Sequence, residues 1–224
     1  MTPILLTSPV DNGVVTLTLN RPEKRNALSI ALRDEFSDAL DVLAVDETVK
    51  AVIITGAGDV FCAGFDLREF ERMDEPEIGD RLWPSSDRFH RTCLDFPLPL
   101  IAAVNGPALA GGFDLAVMCD IRVAAEEAGF AHPEITFGDV VYGPLHDLVG
   151  GAVARELCLT GRRIDASEAL AMRVVASVVS RADVATEAIR YARMVTKAPR
   201  DALLRTKAKA KRRANVVQDA TLDL

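Results

Sequence analysis

The chain has 224 residues, 49% of them hydrophobic and 26% charged. An apolar share of that size at that length can bury a real core, which excludes general disorder and fits one domain, or one with an appendage. Acidic residues number 33 against 26 basic ones, a formal charge of -7, and a negative chain without a global basic bias argues against nucleic acid or an anionic membrane as partner. The N-terminus, MTPILLTSPVDNG, has no basic start and no long apolar run, so it reads as neither a secretory nor an Arg-rich transit leader. No stretch reaches the roughly 18 uncharged apolar residues of a membrane span, and the expectation is a soluble, cytoplasmic protein.

Residues 14–19 (VVTLTL) alternate and are β-branched, which predicts a strand. After the turn-rich NRPEKRN, Ser29 can N-cap a helix that places Leu32, Phe36, Ala39, Leu40 and Leu43 on one face. AVIIT at 51–55 and LIAAV at 100–104 are continuous apolar runs, the pattern of buried strands. Between them residues 66–96 read as polar and helical. Gly111-Gly112 precede a predicted helix over 113–119, and IRVAA at 121–125 predicts a further strand. Strand and helix alternate, so the fold class is α/β with largely parallel strands. Near residue 165 the character changes. Asp165 to Glu168 has a capping-box pattern, VVASVV at 174–179 is a last strand candidate, and Ala185, Ile189, Ala192 and Val195 share a helix face beyond Asp183. Residues 1–165 are therefore taken as the core and 166–224 as a helical C-terminal region. Its end is basic: 8 of the 26 basic residues fall within the 17 positions from Lys197 to Arg213. Such a run is either a solvated helix face or a patch for a phosphate-bearing ligand or acidic partner.

Several familiar chemistries find no footing. Cys62, Cys93, Cys119 and Cys158 form no Cys-x-x-Cys pair and read as buried thiols in a reducing compartment. Gly56-Ala57-Gly58 follows a strand, but Phe61 stands where a dinucleotide fingerprint needs its third glycine. No serine lies in a Gly-x-Ser-x-Gly elbow. His90, His132 and His146 lack metal-ligand spacing, so no metal is expected.

Two glycine-bearing loops are more informative. Residues 60–67 follow the strand at 51–55, and residues 105–114 follow the strand at 100–104. Loops just past strand ends are where α/β sheets bind ligands. Glycine lets backbone approach closely, and unpaired amides at helix starts favour negative charge. Two such loops side by side could aim two N–H groups at one oxygen. Asp114 and Glu134 would supply an acid–base pair beside it.

Leu19-Asn20-Arg21-Pro22 with Asn26-Ala27-Leu28, then residues 61–67 (FCAGFDL), then Ala103 through Gly112, Cys119-Asp120 and Pro133-Glu134, resemble the enoyl-CoA hydratase/isomerase (crotonase) family from about residue 14 to 180, in order and in spacing. The resemblance implies a crotonase-like spiral of ββα units followed by helices that build homotrimers or hexamers. It also implies an acyl-CoA thioester as substrate and no cofactor, coenzyme A being part of the substrate. Carried over by position, it puts the oxyanion amides on Phe65 and Gly111 and the acid–base pair on Asp114 and Glu134. It places Ala63, Phe65, Asp66, Leu67, Arg68 and Gly111 along the thioester and pantetheine, and Lys24, Arg25, Ala27 and Leu28 near the CoA nucleotide. Departures accompany it. Hydratases of the family carry glutamate at both acid–base positions, and Asp114 is one methylene shorter. A misplacement of about 1 Å can cost on the order of a hundredfold. An Asp/Glu pair resembles the dienoyl-CoA isomerase branch, but Tyr142 stands where that branch has a further aspartate, and Asp139 is a candidate for a displaced one. The chain ends at Leu224, where most relatives continue into helices that help cover the site. The expectation is hydration of a 2-enoyl-CoA. The alternatives are double-bond isomerisation and a non-catalytic crotonase-fold protein that binds acyl-CoA or RNA.

Overall fold

A computed structural model of the chain describes residues 2–214 and Thr221. Residues 215–220 and 222–224, the end of the expected C-terminal region, lie outside the described residues.

The elements in order are β1 (Leu5–Thr7), β2 (Val14–Leu19), α1 (Ile30–Val45), β3 (Ala51–Gly56), α2 (Leu67–Phe70), α3 (Pro76–Asp95), β4 (Leu100–Val104), β5 (Ala108–Leu109), α4 (Gly111–Met118), β6 (Ile121–Ala125), β7 (Gly129–Ala131), α5 (Gly143–Val149), α6 (Gly151–Thr160), β8 (Ile164–Asp165), α7 (Ala166–Ala171), β9 (Ser177–Val179), α8 (Val184–Val195) and α9 (Arg200–Ala214). The main sheet runs β1-β2-β3-β4-β6-β9, parallel throughout except for the edge strand β1. Every residue of β4 is buried, as its unbroken apolar run requires of a strand covered on both faces. Ser29 caps α1, its side chain accepting from Leu32 N at 3.3 Å, and Leu32, Phe36, Leu40 and Leu43 bury the face that the periodicity predicted. The capping box at Asp165 is complete. Since β9 pairs with β6, the sheet continues past residue 165 and its last strand belongs to the chain's C-terminal part.

A second, smaller sheet, β5-β7-β8, is absent from the sequence reading. Its strands are two or three residues long, too short for any periodicity to register. They continue a ladder of single bridges: Leu28 pairs with Phe65, and Cys62 with Ala108, both parallel. Each turn of the chain thus lays one strand in the main sheet, one short segment in the second layer, then a helix. That is the spiral of ββα units. The second layer holds the loops, because β5 leads into Gly111 and β7 into His132-Pro133-Glu134. Ala110 N bonding Ala131 O at 2.9 Å ties the ends of these two strands together.

Three residues of the basic run, Arg200, Lys207 and Lys211, dock α9. Lys207 is buried and bonds Leu98 O and Asp120 Oδ2, both at 2.7 Å. Lys211 pairs with Asp95, Arg205 with Asp201, and Arg200 bonds the carbonyls of Val49 and Ala44. Lys197, Arg205, Lys209, Arg212 and Arg213 are exposed, as in a solvated face, and linear charge density cannot tell them from the three anchors. The four cysteines are buried and free, as expected. No helix among the described residues is long and apolar enough to cross a membrane.

Candidate active site

Where the second-layer strands end, a cavity of about 420 Å³ opens. Ala63, Phe65, Gly111, Asp114 and Glu134 line it together, joined by Leu67. These residues lie up to 71 positions apart in sequence, and the spiral brings them to one wall.

The two amides come first. Helix α4 begins at Gly111, two residues earlier than predicted, because Ala110 takes φ 51° and ψ -130° and turns the chain directly into the helix. Gly111 N is therefore an orphan donor of the first turn. Phe65 N lies between the two bonds of the Leu28 bridge, in which Leu28 N donates to Gly64 O and Asp66 N to Leu28 O. Neither Phe65 N nor Gly111 N donates to an acceptor among the described residues. The loops touch. A Cβ built on Gly64 would stand 3.2 Å from Gly111 N, and one built on Gly111 would stand 2.9 Å from the Phe65 ring.

The Phe65 loop is anchored from behind by Arg33. That guanidinium is wholly buried, bonds Leu28 O at 2.7 Å and stands 4.5 Å over the Phe65 ring. Burial draws its pKa down to about 10, with Glu69 opposing, so it remains cationic at neutral pH. Glu69 lies 3.9 Å from it and caps the start of α1 by accepting from Ile30 N.

The carboxylates face each other across a histidine. Asp114, in the first turn of α4, is buried. Glu134 sits in a 3-10 turn at Pro133–Thr136, its side chain 13% exposed, so it points inward. His132 lies between them, fully buried, with Nδ1 3.1 Å from Glu134 Oε1 and 3.6 Å from Asp114 Oδ1. Asp114 Oδ1 and Glu134 Oε2 are buried without a hydrogen-bond partner. Buried carboxylate oxygens rarely stay unpaired, so this wall is built to receive donors from a water or ligand. The sequence spacing gave His132 no role. Folding places its nitrogen and the two carboxylate oxygens within 4.8 Å of one another, and the hydrogen bond to Glu134 accounts for the close edge.

Burial pushes the Asp114 pKa up to about 7, with Glu134 adding to the rise and His132 opposing it. Burial also disfavours the His132 imidazolium, but the two carboxylates outweigh it and raise its pKa. For Asp114 the consequence is a pH-dependent stability. The unfolded carboxyl titrates near pH 4, so between about 4 and 7 the folded state binds more protons than the unfolded one. The associated stability is complete below about pH 4 and lost as pH rises through about 7. Asp114→Asn removes the linkage. Urea unfolding should find the variant gaining on the wild type as pH rises across that window, by a few kcal/mol at roughly 1.4 kcal/mol per unit. A constant difference at all pH values would contradict the buried carboxyl.

Not every expected contact is at the cavity. Lys24, Arg25, Ala27, Leu28, Asp66 and Arg68 are not among its lining residues. Leu28 is a core residue, and its carbonyl serves Arg33 and Asp66. The Asp66 carboxylate is committed to Arg21 at 2.9 Å and to the Arg68 amide. Ala63 N donates to Arg25 O, so residues 24–28 run beside the 63–66 loop. Lys24 is half-buried and Arg25 exposed, and neither makes an ion pair among the described residues. Asp139 lines the cavity, whereas Tyr142 stacks on His146 at 5.4 Å. The far wall went unread in the sequence. It consists of Phe70, Trp83, His90, Val140 and Val141, with Thr221 returning to bond Asp87. Only the apolar and aromatic character of these residues could have hinted at it.

Comparison with known proteins agrees with this geometry. The model of the family described as enoyl-CoA hydratase/isomerase matches residues 10–224. A Thermus thermophilus protein provisionally named an enoyl-CoA hydratase is 42% identical over 172 residues, covering 74% of this chain and 68% of that one. The mitochondrial enoyl-CoA hydratase of Pongo abelii is 36% identical over 190 residues, covering 83% of this chain and 64% of its own. The crystal structure of an enoyl-CoA hydratase from Bacillus anthracis superposes with a TM-score of 0.89 at 33% identity, covering 96% of this chain and 85% of that one. Motifs, spiral and converging loops all agree, and the chain belongs to the enoyl-CoA hydratase/isomerase family.

Proposed function

We propose that this chain is an enoyl-CoA hydratase, adding water across the double bond of a 2-enoyl-CoA. One observation carries the reading. Two partnerless buried carboxylate oxygens, Asp114 Oδ1 and Glu134 Oε2, share a cavity with two free amides, Phe65 N–H and Gly111 N–H. The amides hold the thioester oxygen, where negative charge develops as water adds at C3. Each such donor is worth about 3–4 kcal/mol in the transition state. Asp114 and Glu134 hold the water between them. Glu134 takes its proton as the oxygen attacks, and that proton then passes to C2 of the enolate, so the atoms of water are fully accounted for. Lys24 and Arg25, beside the loop and without an ion pair among the described residues, are suited to the CoA phosphates.

Isomerisation is the second reading, favoured by the raised pKa of Asp114. A carboxyl that holds its proton near neutrality can return one to a shifted double bond. Assays on crotonyl-CoA and on a 3-enoyl-CoA separate the two. Hydration of crotonyl-CoA is the expected result, and isomerisation without hydration would reverse the assignment. Assembly as a homotrimer or hexamer and a cytoplasmic location belong to the same reading. The family resemblance supports the assembly, and light scattering measures it.

A further inference from the structure

The hydration step gives His132 no task, yet it is the residue that touches both carboxylates. We propose that His132 is a positioning residue: its Nδ1–H holds Glu134 Oε1 and faces Asp114, which leaves Glu134 Oε2 as the oxygen that meets the water. The role rests on the hydratase reading, while the geometry stands by itself.

A carboxylate only accepts, so the 3.1 Å contact to Glu134 Oε1 requires the hydrogen on Nδ1. His132 Nε2 is buried with no partner. The neutral Nδ1–H tautomer and the imidazolium that the two carboxylates favour both keep the Nδ1 hydrogen, so the contact holds in either form. The ring is held in place as well. It lies against Phe113 with centroids 4.7 Å apart, and the strand before it is pinned by Ala110 N to Ala131 O. Asp114 faces it from α4 and Glu134 from its own turn. The thiol of Cys158 on α6 lies within electrostatic reach of both carboxylates, and that of Cys62 near Asp114. Burial pushes both thiols up to about 12, so neither competes for the proton. With Oε1 tied down, the Glu134 carboxylate cannot rotate, and Oε2 is the oxygen it presents. Position at this level matters, since about 1 Å of misplacement costs on the order of a hundredfold in rate.

The test compares His132→Gln, which keeps an N–H donor but does not titrate, with His132→Leu, which has none. Steady-state hydration of crotonyl-CoA is followed across pH. His132→Leu should lower kcat by about a hundredfold with KM little changed, and His132→Gln should recover most of that loss. The acid limb of kcat/KM should move to higher pH in His132→Gln, because the imidazolium that favours the ionised Glu134 carboxylate is gone. A Gln variant as impaired as the Leu variant, or one with an unmoved acid limb, overturns the proposal. Nitrogen NMR of the wild type reads the tautomer without any turnover. An Nδ1–H signal lost in Glu134→Ala supports the contact, and an Nε2–H tautomer refutes it. A wild type that shows the Nδ1–H signal but hydrates no ester would refute the hydratase reading and leave this contact standing.

Discussion

Glu134→Gln should lower kcat on crotonyl-CoA by roughly 10²–10⁴-fold, the usual contribution of a positioned acid–base group, and leave CoA-ester binding within a few-fold of wild type. The substitution is nearly isosteric. The amide oxygen of Gln can still accept from His132 Nδ1, so the contact at 3.1 Å survives. What disappears is the ability of Oε2 to take a proton from water. Binding should persist because the thioester oxygen is held by the amides of Phe65 and Gly111, which the change does not touch. Steady-state kinetics with crotonyl-CoA and calorimetry with the saturated ester butyryl-CoA measure the two halves separately. Wild-type turnover would remove Glu134 from the mechanism. Asp114→Asn in the same assay ranks the two carboxylates. If Asp114 orients water while Glu134 moves its proton, the Asn variant should be the less damaged, and the reverse order would exchange their roles.

How much of this site the sequence discloses depends on the length of the element that carries each part. Strands β3 and β4 each carry an unbroken apolar run of four or five residues and are legible as buried parallel strands. The glycine loops after them were legible too, because a loop at a strand's end is a place of known use. The second sheet was not, since Ala108–Leu109 and Ile164–Asp165 carry two residues each and no pattern. That sheet nevertheless sets where Gly111, His132 and Glu134 stand relative to one another. Ala110 shows a related limit. Its positive φ starts α4 at Gly111 instead of residue 113, and alanine gives no sign of such a conformation. Linear spacing assigns His132 no role, because its partner Asp114 lies 18 residues away and meets it only through the fold. Linear charge likewise cannot single out Lys207 within an otherwise largely exposed basic run, since its partner Asp120 lies 87 residues earlier. The resemblance to the family located Phe65, Gly111, Asp114 and Glu134. The structure adds what holds them: Arg33 behind the loop and His132 between the acids.

The second large effect is expected from a residue that touches no substrate. Gly64→Ala should cut kcat by roughly 10²–10³-fold, the cost of losing one oxyanion donor, while the protein still folds. Gly64 has φ +91°, a conformation an L side chain rarely adopts, and a Cβ there would lie 2.7 Å from Ala110 Cβ and 3.0 Å from Leu109 O. Both neighbours belong to the segment that delivers Gly111. The new methyl therefore pushes the two loops apart where they touch, and the Gly111 nitrogen itself is only 3.2 Å away. Backbone strain of this kind costs on the order of 1–3 kcal/mol, too little to unfold a domain of ordinary stability but enough to open the gap between two donors. Urea unfolding measures the stability loss and crotonyl-CoA hydration the rate loss. Adding Ala110→Gly tests the cause. Removing that methyl relieves the tightest contact, and a glycine accepts the φ of 51° at position 110 without strain. The double variant should therefore recover part of the lost rate. A Gly64→Ala protein with full activity would mean that the convergence of these two loops does not set the rate.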